Sequence, residues 1–261
     1  MNSSANTDLQ SRCEQLRSLH TPGDPLLLPN VWDVATARAV VAAGFPVVAT
    51  TSAGVANALG YDDHEGAPAG EMFAAAWRMA RAVEVPVTVD SEAGYGLSPT
   101  DLVAALHDAE AAGCNLEESD HETGALRDPA ERASWLREVR DAAAAIDYPL
   151  VINARVDVFL GGFVGGAEPN TQIDLVPEAL ERANAYLAAG ADCVYPIALW
   201  EPSALTVFMA GVDGPVNVTR VPQTTSLDDL AAAGVARVSW ALFLFRQTMG
   251  FFDELLASLR G

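Results

Sequence analysis

Two carboxylates stand at the end of an apolar run in VTVDSEAGYG, residues 87–96. Asp90 and Glu92 are two residues apart, so on an extended chain they project to one side. Glu117, in CNLEES at 114–119, closes another apolar run. Three carboxylates at one mouth repel one another unless a positive charge lies between them. A hard divalent cation bound through oxygen is the economical partner, and the absence of clustered His and Cys argues against zinc. Mg2+ is the expected ion, with Mn2+ as its substitute. Mg2+ keeps several waters, which leaves room for one direct carboxylate while the others hold waters. An isolated acidic pair of this kind is commonly only a helix cap or a solvated loop. The pattern gains weight because acids, an arginine and an asparagine fall at equivalent strand ends.

Arg155 follows the apolar stretch VINA. An arginine there needs an anionic partner. That partner is either Asp157 or Glu117 in an ion pair, or a substrate carboxylate or phosphonate held in the guanidinium fork. Cation and arginine together suit a 2-oxo acid, whose keto and carboxylate oxygens a metal can bind while an enolate develops.

The elements that must position these groups announce themselves by repetition. VVAAGFPVVAT (40–50), AEAAGCNLEE (109–118), YLAAGADCVYP (186–196) and LAAAGVARVS (230–239) each read as an Ala-rich helix end, a glycine and a short apolar strand. Glycine suits a helix C-terminus, and an apolar strand suits burial on both faces. Strands are expected at 26–29, 46–50, 86–90, 114–117, 150–154, 193–196, 215–218 and 236–239. Helices are expected at 33–43, 71–83, 100–112, 129–145, 176–189, 202–210, 226–233 and 241–259. This alternation predicts a single-domain (β/α)8 barrel over 1–261, with residues 1–12 flexible. A doubly wound sheet is disfavoured because LLLPNVWD carries no glycine fingerprint after the first strand. In a barrel the residues following each strand line the active face.

Composition narrows the chemistry. The formal net charge is −20, with no basic stripe, which argues against nucleic acid. All 15 basic residues are Arg. With no Lys, Schiff-base and pyridoxal chemistry and a P-loop are excluded for the chain acting alone. Cys13, Cys114 and Cys193 are too far apart for a disulfide framework or a zinc pattern, so a reducing cytoplasm is expected. No signal peptide and no membrane-spanning run is apparent.

At the residues quoted, the chain resembles the isocitrate lyase/phosphoenolpyruvate mutase superfamily. The likeness runs from LLLPNVWD to VARVSWALFLFR and is carried by TTSAGVANALGYDD, VDSEAGYG, CNLEES and INARVD. It implies a modified TIM barrel whose last helix swaps between subunits of a homodimer or homotetramer. It further implies Mg2+-dependent cleavage or formation of C–C or P–C bonds beside a 2-oxo acid, through an enolate. By the same likeness Asp90 resembles the direct metal ligand, and Asp63, Glu92 and Glu117 resemble the carboxylates that hold its waters. Thr51, Ser52 and Ala53 resemble the segment that binds the substrate carboxylate and keto group. Arg155 resembles the substrate-binding arginine, and Asn217 a polar residue facing the substrate. Glu92 stands where many members have Asp.

The loop after the fourth strand departs from the pattern. It reads SDHETGALRDP (119–129) where the isocitrate and methylisocitrate lyases carry KKCGH, and it also lacks the Lys and Asn of the phosphonate mutases. His121 and Glu122 are the candidates for proton transfer there, with His64 and Glu65 nearby. LGGFVGGAEPNTQ (160–172) is a candidate lid. The function expected is a Mg2+-dependent lyase cleaving a C–C bond of a small anionic 2-hydroxy or 2-oxo (di)carboxylate, methylisocitrate lyase-like. The alternatives are a P–C mutase or hydrolase acting on a phosphonate such as phosphonopyruvate, an oxaloacetate hydrolase or decarboxylase, and a non-catalytic binding barrel.

Overall fold

The computed structural model describes residues 3–166 and 171–259. The first strand is broken by Pro29, which has no N–H to give to a ladder. It therefore appears as β1 (Leu26–Leu28) and β2 (Asn30–Val31). There follow β3 (Val48–Thr50), β4 (Val87–Asp90), β5 (Gly113–Leu116), β6 (Val151–Val156), β7 (Cys193–Pro196), β8 (Asn217–Thr219) and β9 (Arg237–Ser239). β2 through β7 pair parallel in chain order, and β1, β9 and β8 pair parallel in a second run. The β1–β2 strand joins the runs on one side, and a parallel Val194–Val216 bridge joins them on the other. The eight strand positions thus close into the expected (β/α)8 barrel.

Between and around the strands lie α2 (Val34–Ala42), α3 (Ser52–Leu59), α4 (Ala69–Ala80), α5 (Pro99–Asp108), α6 (Pro129–Ala144), α7 (Leu160–Val164), α8 (Gln172–Ala188), α9 (Pro202–Gly211), α10 (Leu227–Ala232) and α11 (Phe243–Ser258). Gly44, Gly190 and Gly234 take the left-handed conformation expected of them. Gly113 does not. There α5 ends earlier, Glu110 takes the left-handed position, and Gly113 opens β5. A Cβ on Gly113 would lie 2.7 Å from Leu16 and 2.8 Å from the Val151 carbonyl, so this glycine serves close approach.

That contact comes from an element absent from the sequence-based expectations. Residues 1–12 were expected to be flexible, yet α1 runs over Ser3–Ser18. Leu9, Cys13 and Leu16, spaced four and three apart, form one buried stripe. Arg17 donates to Asp192 (2.8 Å) and to the Pro149 carbonyl (3.0 Å), so α1 closes the N-terminal end of the barrel. At the other extreme α11 buries none of its residues: Phe251 is 68% exposed, and Phe252, Leu255 and Leu256 are exposed beside it. Among the described residues no helix is long and apolar enough to cross a membrane.

Candidate active site

The side chains that project inward near the C-terminal ends of the strands are polar, and they enclose a pocket of about 120 Å³. Asp90, Glu117 and Arg155 line it from consecutive strand positions, and Asp63 enters from the segment after α3. Asp90 ends β4. Its backbone N–H donates to Thr50 (2.8 Å), and its Oδ2 accepts from the Ser52 N–H (3.0 Å). Ser52 opens α3 directly after β3, so Thr51, Ser52 and Ala53 bring a helix N-terminus to the pocket wall. Backbone N–H groups there favour an anion.

Glu92 sits in a turn with φ 46°, and His64, Glu65 and Tyr95 beside it also take positive φ. Each costs about 1 kcal/mol in a residue with a Cβ, and such strain gathers at working sites. Glu92 accepts from the Glu65 N–H (2.5 Å) and the Tyr95 hydroxyl (2.9 Å). Glu117 follows β5, receives Arg155, and lies 3.3 Å from His121 Nε2, which is also 3.9 Å from Glu92. Neither histidine contact has hydrogen-bond alignment.

Burial, with Asp90 and Glu117 adding repulsion, lifts the Glu92 carboxyl to about 8. Burial lifts Glu117 to about 7 against the pull of Arg155, and it raises Asp90 as well. Contact with Glu117 raises the His121 imidazole. Burial works against the Asp157 charge, but Arg155 overrides it and keeps that carboxyl below its usual range. Arg155 holds Asp157 bidentately, Nε at 2.5 Å and Nη2 at 3.1 Å, while Nη1 meets Glu117. The ion-pair reading of Arg155 is thus realised, with the guanidinium still on the pocket wall.

Among the described residues no three His, Cys, Asp or Glu side chains converge as direct ligands to one metal ion. The donor set nevertheless fits a hard cation held mainly through water. It is all oxygen, crowded, desolvated and mutually repelling, and the buried Asp63 Oδ1 has no partner.

The structure sorts the remaining expectations. His121 reaches the acids, whereas Glu122 is exposed and lines an outer cavity of about 910 Å³. His64 lines both cavities, its ring 5.2 Å from that of His121. Asn217 does not face the pocket. It is fully buried and exchanges hydrogen bonds of 3.2 Å with Ser239, and Ser239 is the group that lines the wall. The reason is register: Asn217 begins β8, one inward position below the rim. Of the candidate lid, Leu160 touches the pocket and opens α7, while residues 167–170 lie outside the described residues. Cys114 is core, as are Cys13 and Cys193, and burial pushes all three thiols up to about 12. Sequence reasoning passed over Asn115, which lines the pocket beside Asp90 and Glu117. Its signal was available, since in an extended strand it shares a face with Glu117.

Comparison with known proteins shows the family and the fold. The phosphoenolpyruvate phosphomutase family model matches residues 16–260. Probable 2-methylisocitrate lyase 2 of Corynebacterium glutamicum is 31% identical over 260 residues, covering 95% of this chain and 80% of that one. A solved structure from Burkholderia cenocepacia, described only provisionally as a phosphonomutase, is 40% identical, with a TM-score of 0.87 over 95% of this chain and 99% of that one. The fold is shared with 2,3-dimethylmalate lyase, a PEP mutase/isocitrate lyase superfamily member, at a TM-score of 0.81 and 20% identity over 95% and 84% of the two chains.

Proposed function

The chain belongs to the PEP mutase/isocitrate lyase superfamily, and we propose that within it the chain is a Mg2+-dependent lyase cleaving a C–C bond of a small 2-hydroxy or 2-oxo (di)carboxylate. The observation that carries this reading is the charge balance of the inner pocket. Among the described residues one guanidinium lines it, already shared between Glu117 and Asp157. A phosphonate brings more negative charge than a carboxylate and asks for more cationic groups at the same wall. A pocket of about 120 Å³ suits a compact oxo acid.

In this reading Asp90 would hold the ion directly, and Asp63, Glu92 and Glu117 would hold it through water. When bound, the ion would supply Lewis-acid polarisation to the substrate's keto and carboxylate oxygens. The N-terminus of α3 orients the substrate carboxylate through the Ala53 N–H, since the Thr51 and Ser52 N–H groups already donate to Val31 and Asp90. Arg155 carries positive charge to the same wall and keeps its direction through the bidentate hold on Asp157. His121 Nε2 moves the proton, in place of the loop cysteine that the chain lacks, because it is the titratable loop group in contact with the pocket acids. Ser119 anchors that loop by donating to Asp157 from its hydroxyl (2.5 Å) and its N–H (3.2 Å), and the Asp120–Arg127 pair (3.2 Å) braces its far side. The anchored loop keeps bulk water from the acids.

The test is a turnover panel with Mg2+: oxaloacetate, isocitrate, 2-methylisocitrate, dimethylmalate and phosphonopyruvate. Pyruvate or glyoxylate from a C–C substrate is expected, and the activity should be lost in His121→Asn. Phosphonopyruvate as the preferred substrate, turned over by P–C bond chemistry, would overturn the lyase reading. Bound Mg2+ without turnover of any member would point to a non-catalytic barrel.

A further inference from the structure

Asn115 occupies an unusual electrostatic position. Its Oδ1 accepts from Asn153 Nδ2 (2.8 Å) and from Arg237 Nη2 (3.1 Å). Arg237 carries donors only, so the amide atom facing it must be the oxygen, whichever way the amide is first drawn. The Nδ2 end is therefore turned away from Arg237, on a side chain that lines the catalytic pocket, and it donates to no group among the described residues.

Arg237 itself needs a reason to exist. It is 1% exposed, on β9 in the barrel interior, and its Nε and Nη1 have no hydrogen-bond partner. Of the other buried arginines, Arg182 meets the Glu118 carboxylate and Arg132 lies over the Trp135 ring, whereas Arg237 has no carboxylate partner among the described residues. A buried unpaired charge is strongly unfavourable, and a group of this kind in a native core asks for a functional account. Among the described residues its one bond to a side chain goes to the Asn115 amide.

We propose that Asn115 is a substrate-contacting hydrogen-bond donor and that Arg237 is the positioning residue that holds its amide in the donor orientation. The pair then reads an acceptor oxygen, carboxylate or carbonyl, at the inner end of the pocket. This rests on the pocket being a 2-oxo acid site, and it adds to that site a second recognition group that bears no charge. An amide donor suits a dianionic substrate because it contributes direction without adding another cation to a wall where Arg155 already stands.

The probe is oxalate, a compact dianion with acceptor oxygens only, titrated calorimetrically into the full chain with Mg2+. Asn115→Asp is nearly isosteric. Its inner oxygen keeps both donors and gains an ion pair with Arg237, so the melting temperature should hold or rise. Its outer atom changes from donor to acceptor, so oxalate affinity should fall by roughly 100-fold or more, combining the lost bond with repulsion. Asn115→Leu removes the donor without adding charge and should lose roughly 10–100-fold. Arg237→Met should lower oxalate affinity, and Arg237→Lys, still a donor, should restore most of it.

Oxalate affinity unchanged in Asn115→Asp, or lost there but kept in Asn115→Leu, overturns the donor role while leaving the pocket reading intact. Should Asn115→Leu not fold, the Met and Lys variants at 237 decide: equal affinity in both overturns the positioning role. Wild-type chain that does not bind oxalate overturns the pocket reading, and this proposal with it.

Discussion

Glu92→Gln offers the sharpest test of the acidic cluster, because the predicted effects on stability and on metal binding have opposite signs. The Glu92 carboxyl is lifted from 4.5 to about 8 by burial and by repulsion from Asp90. The folded chain therefore holds this proton more tightly than the unfolded chain does. Its stabilising contribution is complete below about 4.5, and it is lost as the pH climbs through 8. At 1.36 kcal/mol per pH unit the ceiling is about 5 kcal/mol, which relaxation and water entry reduce to roughly 1–3 kcal/mol. Glutamine keeps the shape. Its oxygen can accept from the Glu65 N–H, and its amide can donate to the Tyr95 hydroxyl oxygen. In EDTA at pH 9, Glu92→Gln should melt roughly 3–10 °C above the parent, and at pH 5 the two should melt together. With Mg2+ the order should reverse, because the variant has lost a carboxylate that holds the ion's waters, and calorimetry should show weakened binding. Equal destabilisation of the variant at both pH values, or undiminished Mg2+ affinity, would refute the reasoning.

Four further outcomes follow from the same geometry. Asp90→Ala should abolish Mg2+ binding by calorimetry, and unchanged binding would sink the direct-ligand assignment. Arg155→Met leaves Glu117 and Asp157 buried without their cation, so it should cost roughly 3–5 kcal/mol in denaturant melts and remove turnover, with Arg155→Lys losing less stability. With thiols near 12, about one part in ten thousand is thiolate at pH 8, so Cys13, Cys114 and Cys193 should resist an aromatic disulfide reagent until the chain unfolds. We propose a homodimer or homotetramer that covers the apolar face of α11. Sedimentation should then report an assembly that Phe252→Asp with Leu256→Asp reduces to monomer, and a monomeric parent would contradict it.

Much of the fold was legible because its signals are local. Helix end, glycine and apolar strand recur along the chain, and each unit states its own place in a (β/α)8 alternation without reference to distant residues. The same locality brought Asp90, Glu117 and Arg155 to attention, since each follows a strand. α3 was missed because SAGVANAL is short and apolar all round, which gives no helical stripe to see. α1 was missed because its stripe of Leu9, Cys13 and Leu16 is thin in an otherwise polar stretch.

The sequence by itself determined the barrel order, the strand ends that carry acids and arginine, and the lysine-dependent chemistries that the chain cannot perform. Only the tertiary structure decided which side chains meet. It turned Asn217 into the wall behind Ser239, left Glu122 in solvent, carried His121 to Glu117, and set Arg237 beneath Asn115 across 122 residues of chain. Strand tilt and barrel closure set those encounters, and both are properties of all the strands together. Desolvation of the acids is likewise collective, because a carboxylate becomes costly only when the rest of the barrel has removed its water.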